Sequence, residues 1–110
     1  MNTLRVVISI PPRVLPEITD LILDEYAQKI NLAGAEYVLD LGKVINVYSS
    51  TVSLILRLRR EAAALYGTVV LVNVSARVKM ALRTMNIDSM MPIYNSMFDY
   101  EFERTIAVAA

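Results

Sequence analysis

Three consecutive hydroxyl residues, Ser49, Ser50 and Thr51, form the group of side chains in this sequence best placed to do chemistry. They stand between an apolar, strand-like run and the amphipathic run "VSLILRLRREAAALYG", which has helical spacing. A hydroxyl at the start of a helix accepts a hydrogen bond from an unpaired amide, worth about 1 kcal/mol. The same oxygen can carry a covalent signal. Residue type and spacing leave both roles open.

Other chemistries are poorly provided for. Without cysteine there is no thiol nucleophile, thiolate metal site or disulfide, and without histidine the commonest general base and metal ligand are gone. Eleven basic and eleven acidic residues balance, so no long-range field draws the chain to nucleic acid or anionic lipid. The glycines, Gly34, Gly42 and Gly67, make no phosphate-cradling pattern. The carboxylates look scattered. The sequence therefore reads as non-enzymatic, with no cofactor and no metal of its own. Arg57, Arg60, Arg77, Lys79 and Arg83 lack interleaved aromatics and read as solvated helix faces. Met80, Met85, Met90, Met91 and Met97 read as adaptable core filler, or where exposed as a soft protein-binding surface.

The chain of 110 residues fits one domain, and its 55% apolar content leaves some apolar surface for a partner. No apolar run approaches the roughly 18 to 20 residues that span a bilayer. The start, "MNTLRVVISIPP", lacks the basic region and cleavage site of a signal peptide, so a cytoplasmic protein is expected.

The hydroxyl cluster needs strands and helices to hold it. "LRVVISI" (Leu4 to Ile10) reads as a strand ended by Pro11 and Pro12. Pro16 suits the first turn of a helix whose Ile18, Ile22, Tyr26 and Ile30 make one buried stripe, with Gly34 closing it. Glu25 and Lys29 form an i,i+4 pair on its wet side. "EYVLDL" (Glu36 to Leu41) is the second strand. The second helix runs from about Thr51 to Tyr66, closed by Gly67, with Arg57 on its wet side and Arg59 snorkelling from the apolar arc. "TVVLVNV" (Thr68 to Val74) reads as a central strand, and Ser75 caps the next helix. "MPIY" (Met91 to Tyr94) is a short edge strand, and Ser96 with Asp99 opens a last helix. This alternation predicts one α/β domain over residues 1–110, with a mixed, mostly parallel sheet and about four helices.

That order resembles the STAS domain family, named for sulfate transporters and anti-sigma factor antagonists. The resemblance rests on "YVLDLGKV" (Tyr37 to Val44) and on "YSSTVSLILRLRREAAALYGTVVLVNVSARVKMALRTMNID" (Tyr48 to Asp88). It is strongest over residues 36–102. Family members usually begin with two strands in a hairpin, whereas one strand is evident before Pro11, so the resemblance implies a shortened N-terminal hairpin.

The phosphoregulated members carry an Asp-Ser-Ser/Thr-Gly turn before the second helix, and an anti-sigma factor kinase phosphorylates it. Laid on this sequence, the turn falls on Tyr48, Ser49, Ser50 and Thr51, which places the acceptor at Ser50 with Ser49 and Thr51 as fallbacks. Tyr48 stands where Asp is usual and Thr51 where Gly is usual. The resemblance thus implies a regulator that resembles an anti-sigma factor antagonist and binds its partner through Asp40 and the Tyr48–Thr51 turn. Asp40 matches the family's strand-end acid, and would bind the partner, position the turn or simply be solvated. The implied partners are an anti-sigma factor/serine kinase and a PP2C-type phosphatase, with nucleotide and magnesium belonging to the kinase; a homodimer is left open. Two alternatives are a subunit docking on a membrane transporter's ATPase and a scaffold subunit of a larger sensory complex.

Overall fold

The computed structural model describes residues 4–109, with side-chain surroundings through residue 104. Three strands, β1 (Arg5–Ser9), β2 (Glu36–Asp40) and β3 (Thr68–Val72), alternate with α1 (Thr19–Ala27), α2 (Ser49–Ala64), α3 (Ala76–Thr84) and α4 (Met97–Ala109). Short 3₁₀ turns at Pro16–Ile18 and Ile87–Ser89 complete the order. The strands lie side by side as β1-β2-β3, all parallel, with Val7 beside Val38 and Val38 beside Val70. The expected α/β architecture and parallel sheet are both present. Before Pro11 the described residues hold one strand, β1.

The sheet separates two apolar layers because strand side chains alternate between faces. Ile8, Tyr37, Leu39 and Leu71 point into the larger core, where they meet Leu54, Ile55 and Leu58 of α2 and Val78 and Leu82 of α3. Val38, Val70 and Val72 point the other way and are covered by Tyr100, Tyr94 and Met97. Polar contacts hold α4 over this second face. Glu101 takes an ion pair from Arg5, the Tyr100 hydroxyl bonds to Glu36, and the Tyr94 and Tyr100 rings meet edge to face at 5.4 Å.

Several expectations shift. The centre of the sheet is β2, not β3. The far edge of β3 meets "MPIY" as a single parallel bridge, Leu71 with Ile93, because the Leu71 amide and carbonyl pair with the Pro92 carbonyl and Tyr94 amide. The first helix stops at Ala27, well before Gly34. Its end tightens through bonds from the Lys29 and Ile30 amides to the Tyr26 and Ala27 carbonyls, and that turn carries Ile30 into the core. Ile22 and Tyr26 are half-buried and Ile18 is exposed, so the stripe is shallower than its spacing suggests. Gly34 instead sits in the following turn with φ +72°. Lys29 lies over the Tyr26 ring. Arg57 is half-buried between Glu61 and Asp24 at 2.9 and 3.4 Å, and these carboxylates hold it protonated, the Glu61 bond first. Arg59 is exposed and donates to the Met90 carbonyl at 3.3 Å. Met91 is buried, Met97 is half-buried, and Met80, Met85 and Met90 are exposed.

Two caps match expectation. The Ser75 hydroxyl accepts from the Val78 amide at 3.3 Å, and Ser96 accepts from the Asp99 amide at 3.0 Å.

Candidate functional site

In a parallel sheet the loops that leave the carboxyl ends of the strands share one rim, and ligand sites of α/β folds gather there. The segment after β1 and the segment between β2 and α2 meet at this rim. Helix α2 opens two residues earlier than its apolar spacing suggests. Tyr48, extended at φ −96° and ψ 164°, takes the cap position, so Ser49, Ser50 and Thr51 fill the first three helical positions.

The three hydroxyls have different surroundings. Thr51 is fully buried, and its oxygen accepts the Tyr48 amide at 3.3 Å, half of a capping box turned back on the helix start. Ser50 is half-buried and donates to the Val14 carbonyl at 2.8 Å, which fastens the post-β1 segment to α2. Ser49 is exposed. The first α-type backbone bond of α2 is from Val52 to Tyr48 at 3.1 Å, so the amides before it point out of the helix start, at the positive end of its dipole.

Tyr48, Ser49 and Ser50 line one side of a groove of about 490 Å³, with Ser53 one turn further along. Arg13, Val14, Leu15, Pro16 and Thr19 form the opposite side. Sequence reasoning missed this second wall. Pro11 and Pro12 signalled where β1 stops, but not that the following residues fold across the start of α2. Arg13 is exposed and brings a guanidinium to this wall of the groove.

Asp40 and Thr51 do not line this groove. At the end of β2 the Asp40 carboxylate accepts from the Gly42 amide at 2.8 Å and from the Asn73 side-chain amide at 3.0 Å. Asn73, with φ 57°, in turn accepts the Met97 amide at 3.0 Å. One asparagine thus ties the ends of β2 and β3 to the start of α4. The only sequence signal for it was an asparagine closing an apolar strand, a residue that tolerates left-handed backbone. Asn73→Ala should cost about 2 kcal/mol in urea unfolding, from two lost side-chain bonds and a strained φ. Asn73→Gly, which relieves the strain, should cost less.

Among the described residues no three or more acidic side chains gather where they could hold a metal, and no helix is long and apolar enough to cross a membrane. The candidate site is therefore a surface of hydroxyls, helix-start amides and one arginine, suited to binding and to carrying a charged group.

Comparison with known proteins places the chain in a family. No curated protein matches the chain significantly. Among solved structures it resembles an anti-sigma-factor antagonist (STAS) domain protein from Planctomyces limnophilus, with TM-score 0.72, 24% identity, and 94% of this chain and 90% of that one covered. It also resembles a sulfate transporter family protein from Wolinella succinogenes, with TM-score 0.76, 12% identity, and 96% and 88% covered. A candidate anti-sigma factor antagonist from Thermotoga maritima follows at TM-score 0.62, 19% identity, and 94% and 82% covered. At these identities the likeness is one of fold. The model of the STAS domain matches residues 14–99, from the Val14 that accepts the Ser50 hydroxyl to the Asp99 that Ser96 caps. The chain belongs to the STAS domain family.

Proposed function

We propose that this domain is a non-catalytic regulator of the anti-sigma factor antagonist type, binding an anti-sigma factor/serine kinase and switched by phosphorylation of Ser50. The likeness to the Planctomyces limnophilus structure supports the antagonist reading. One observation carries the switch: a half-buried serine and an exposed one in the first turn of α2, opening on a groove with Arg13 on its opposite wall. The helix start and the arginine accommodate the added phosphate locally. A partner packed flat on the same turn would have to desolvate or face that charge, and would let go.

Of the fallback acceptors, Ser49 is the nearer substitute, since Thr51 is buried and its oxygen already serves the cap. Asp40 contributes by position, fixing the rim through Gly42 and Asn73. A PP2C-type phosphatase would reset the switch. Nucleotide and magnesium would belong to the kinase.

The test is a pull-down from native cytoplasm, intact-mass measurement of the domain, and affinity of Ser50 variants for the captured kinase. Phosphate at Ser50 is expected, and Ser50→Asp should weaken binding about thirty- to a hundredfold, equivalent to about 2 to 3 kcal/mol. Ser50→Ala should stay within a few-fold of the parent. Phosphate on none of the three hydroxyls, or a Ser50→Asp protein that binds as tightly as the parent, would refute the switch. A second reading, a domain that serves a membrane transporter, draws on the likeness to the Wolinella succinogenes protein. Recovery of a transporter or its ATPase in place of a kinase would select it.

A further inference from the structure

The outer edge of β1 carries a second surface, independent of the hydroxyl site. The Leu4 carbonyl accepts from the Glu36 amide and the Ile10 amide donates to the Asp40 carbonyl, so even-numbered residues of this strand pair with β2. By the alternation of a strand, the amides and carbonyls of Arg5, Val7 and Ser9 point away from the sheet. Among the described residues nothing pairs with them. The opposite edge, on β3, is met at Leu71 by the Pro92–Tyr94 segment. Nor is β1 protected in the usual way, by a proline or a charge at its centre. Val7 stands there, 52% exposed, on the face that α4 covers only in part.

Beside it lies a second exposed apolar element. Phe98 and Phe102 stack on each other one turn apart on α4, 73% and 57% exposed, with centroids 6.1 Å apart. Glu101 reaches down to Arg5 of β1, and Phe98, three residues before it, lies about 60° around the helix from it, so Phe98 leans toward the β1 side.

We infer that two copies of this chain pair through β1, antiparallel and centred on Val7, so that the two sheets become one. The strand is self-complementary in that register. Each outward residue meets an outward residue of the other copy, Val7 against Val7 and Arg5 against Ser9, which allows six backbone hydrogen bonds and brings no like charges together. Sliding the strands by two residues one way sets Arg5 against the second copy's Val7 and leaves Ser9 beyond the end of the second copy's β1. Sliding them the other way sets Arg5 against Pro11, which has no amide to give. The register centred on Val7 is the one that uses all three outward residues of each strand.

The symmetry also accounts for the phenylalanines. Opposed residues of an antiparallel pair project from the same face, so the twofold axis runs perpendicular to the sheet. Both α4 helices then lie on one face, flanking the axis, with the two Val7 side chains between them and Phe98 of each copy turned toward the gap. One operation covers the open edge and brings the exposed Phe98 of each copy to the gap.

The full chain should sediment as a concentration-dependent monomer–dimer equilibrium. Val7→Lys and Phe98→Glu should each raise the dissociation constant about tenfold or more, while circular dichroism and unfolding midpoint confirm that the fold persists. Because the chain has no cysteine, Val7→Cys supplies a direct check on register. Across the axis that residue faces itself within disulfide reach, so mild oxidation should link two copies, whereas Tyr66→Cys, on an exposed residue far along the chain, should not. A monomer at every concentration, a dimer indifferent to both charge variants, equal cross-linking of the two cysteine variants, or a β1 edge taken up by a strand of a different protein would each overturn the proposal. None of these measurements involves a kinase or phosphate, so their outcome is separate from that of the switch.

Discussion

Tyr37→Ala is expected to lower the unfolding free energy by about 4 kcal/mol, close to what removing a large buried aromatic costs. Tyr37 lies on the central strand with no exposed surface. Its ring fills the layer between the sheet and α2, and its hydroxyl reaches beyond the core to the turn after α1. There it accepts from the Leu32 amide at 3.0 Å and donates to the Leu32 carbonyl at 2.8 Å. Tyr37→Phe isolates that second role and should cost about 1 to 2 kcal/mol, since the ring stays and two backbone groups lose a partner. Urea unfolding of both variants measures the difference. Equal losses would mean that the hydroxyl, not the ring, dominates. Single domains are stable by about 5 to 15 kcal/mol, so the alanine variant removes a large share of the total.

Gly67→Ala should be nearly as damaging, at about 3 kcal/mol, although it adds a single methyl group. A Cβ at this position would stand 2.6 Å from the Ala35 carbonyl oxygen and 3.3 Å from both the Ala62 carbonyl oxygen and the Tyr37 ring. The Ala35 oxygen cannot retreat freely, because it accepts the Thr68 amide at 3.1 Å where β2 and β3 begin to pair. Relief would have to come from separating α2 from the sheet. Gly34→Ala is the control: nothing lies within 4 Å of its added carbon, and its cost of about 1 kcal/mol comes from the positive φ alone. If the Gly67 and Gly34 variants unfold at the same urea concentration, the close approach of Gly67 to the Ala35 carbonyl does not matter to stability.

Both sites lie at the end of the sheet where the strands start, and the groove lies where they finish. The two ends were not equally legible. β2 could be read from "EYVLDL", and the cap of α3 from Ser75, because short-range rules decide both: alternation, β-branching, and a hydroxyl before an apolar period. Gly67 could be read as punctuation after α2, but not as the point where the turn into β3 nearly touches the chain entering β2. That requires knowing that the Ala35 carbonyl lies against Gly67.

The groove was half visible for the same reason. Ser49, Ser50 and Thr51 announced themselves by type, and the family resemblance marked their turn. Their different burial depends on Val14 and on the pitch of α2, neither of which is local. The start of α2 was misplaced by two residues because Tyr48 takes the cap position without a side-chain acceptor of the usual kind. In α1 the apolar period ran on to Ile30 while the helix did not. Periodicity reports which side chains face inward, and a tightened turn can satisfy it as well as a helix can.

The bond from the Ser50 hydroxyl to the Val14 carbonyl joins residues thirty-six positions apart. Its proton is the one that esterification of that oxygen would remove. A modified Ser50 would offer the Val14 carbonyl only acceptors, and two acceptors do not hold each other. The mark would therefore be written twice, once as surface charge and once as an unlatched strap between β1 and α1, so that a reader protein could sense shape as well as electrostatics.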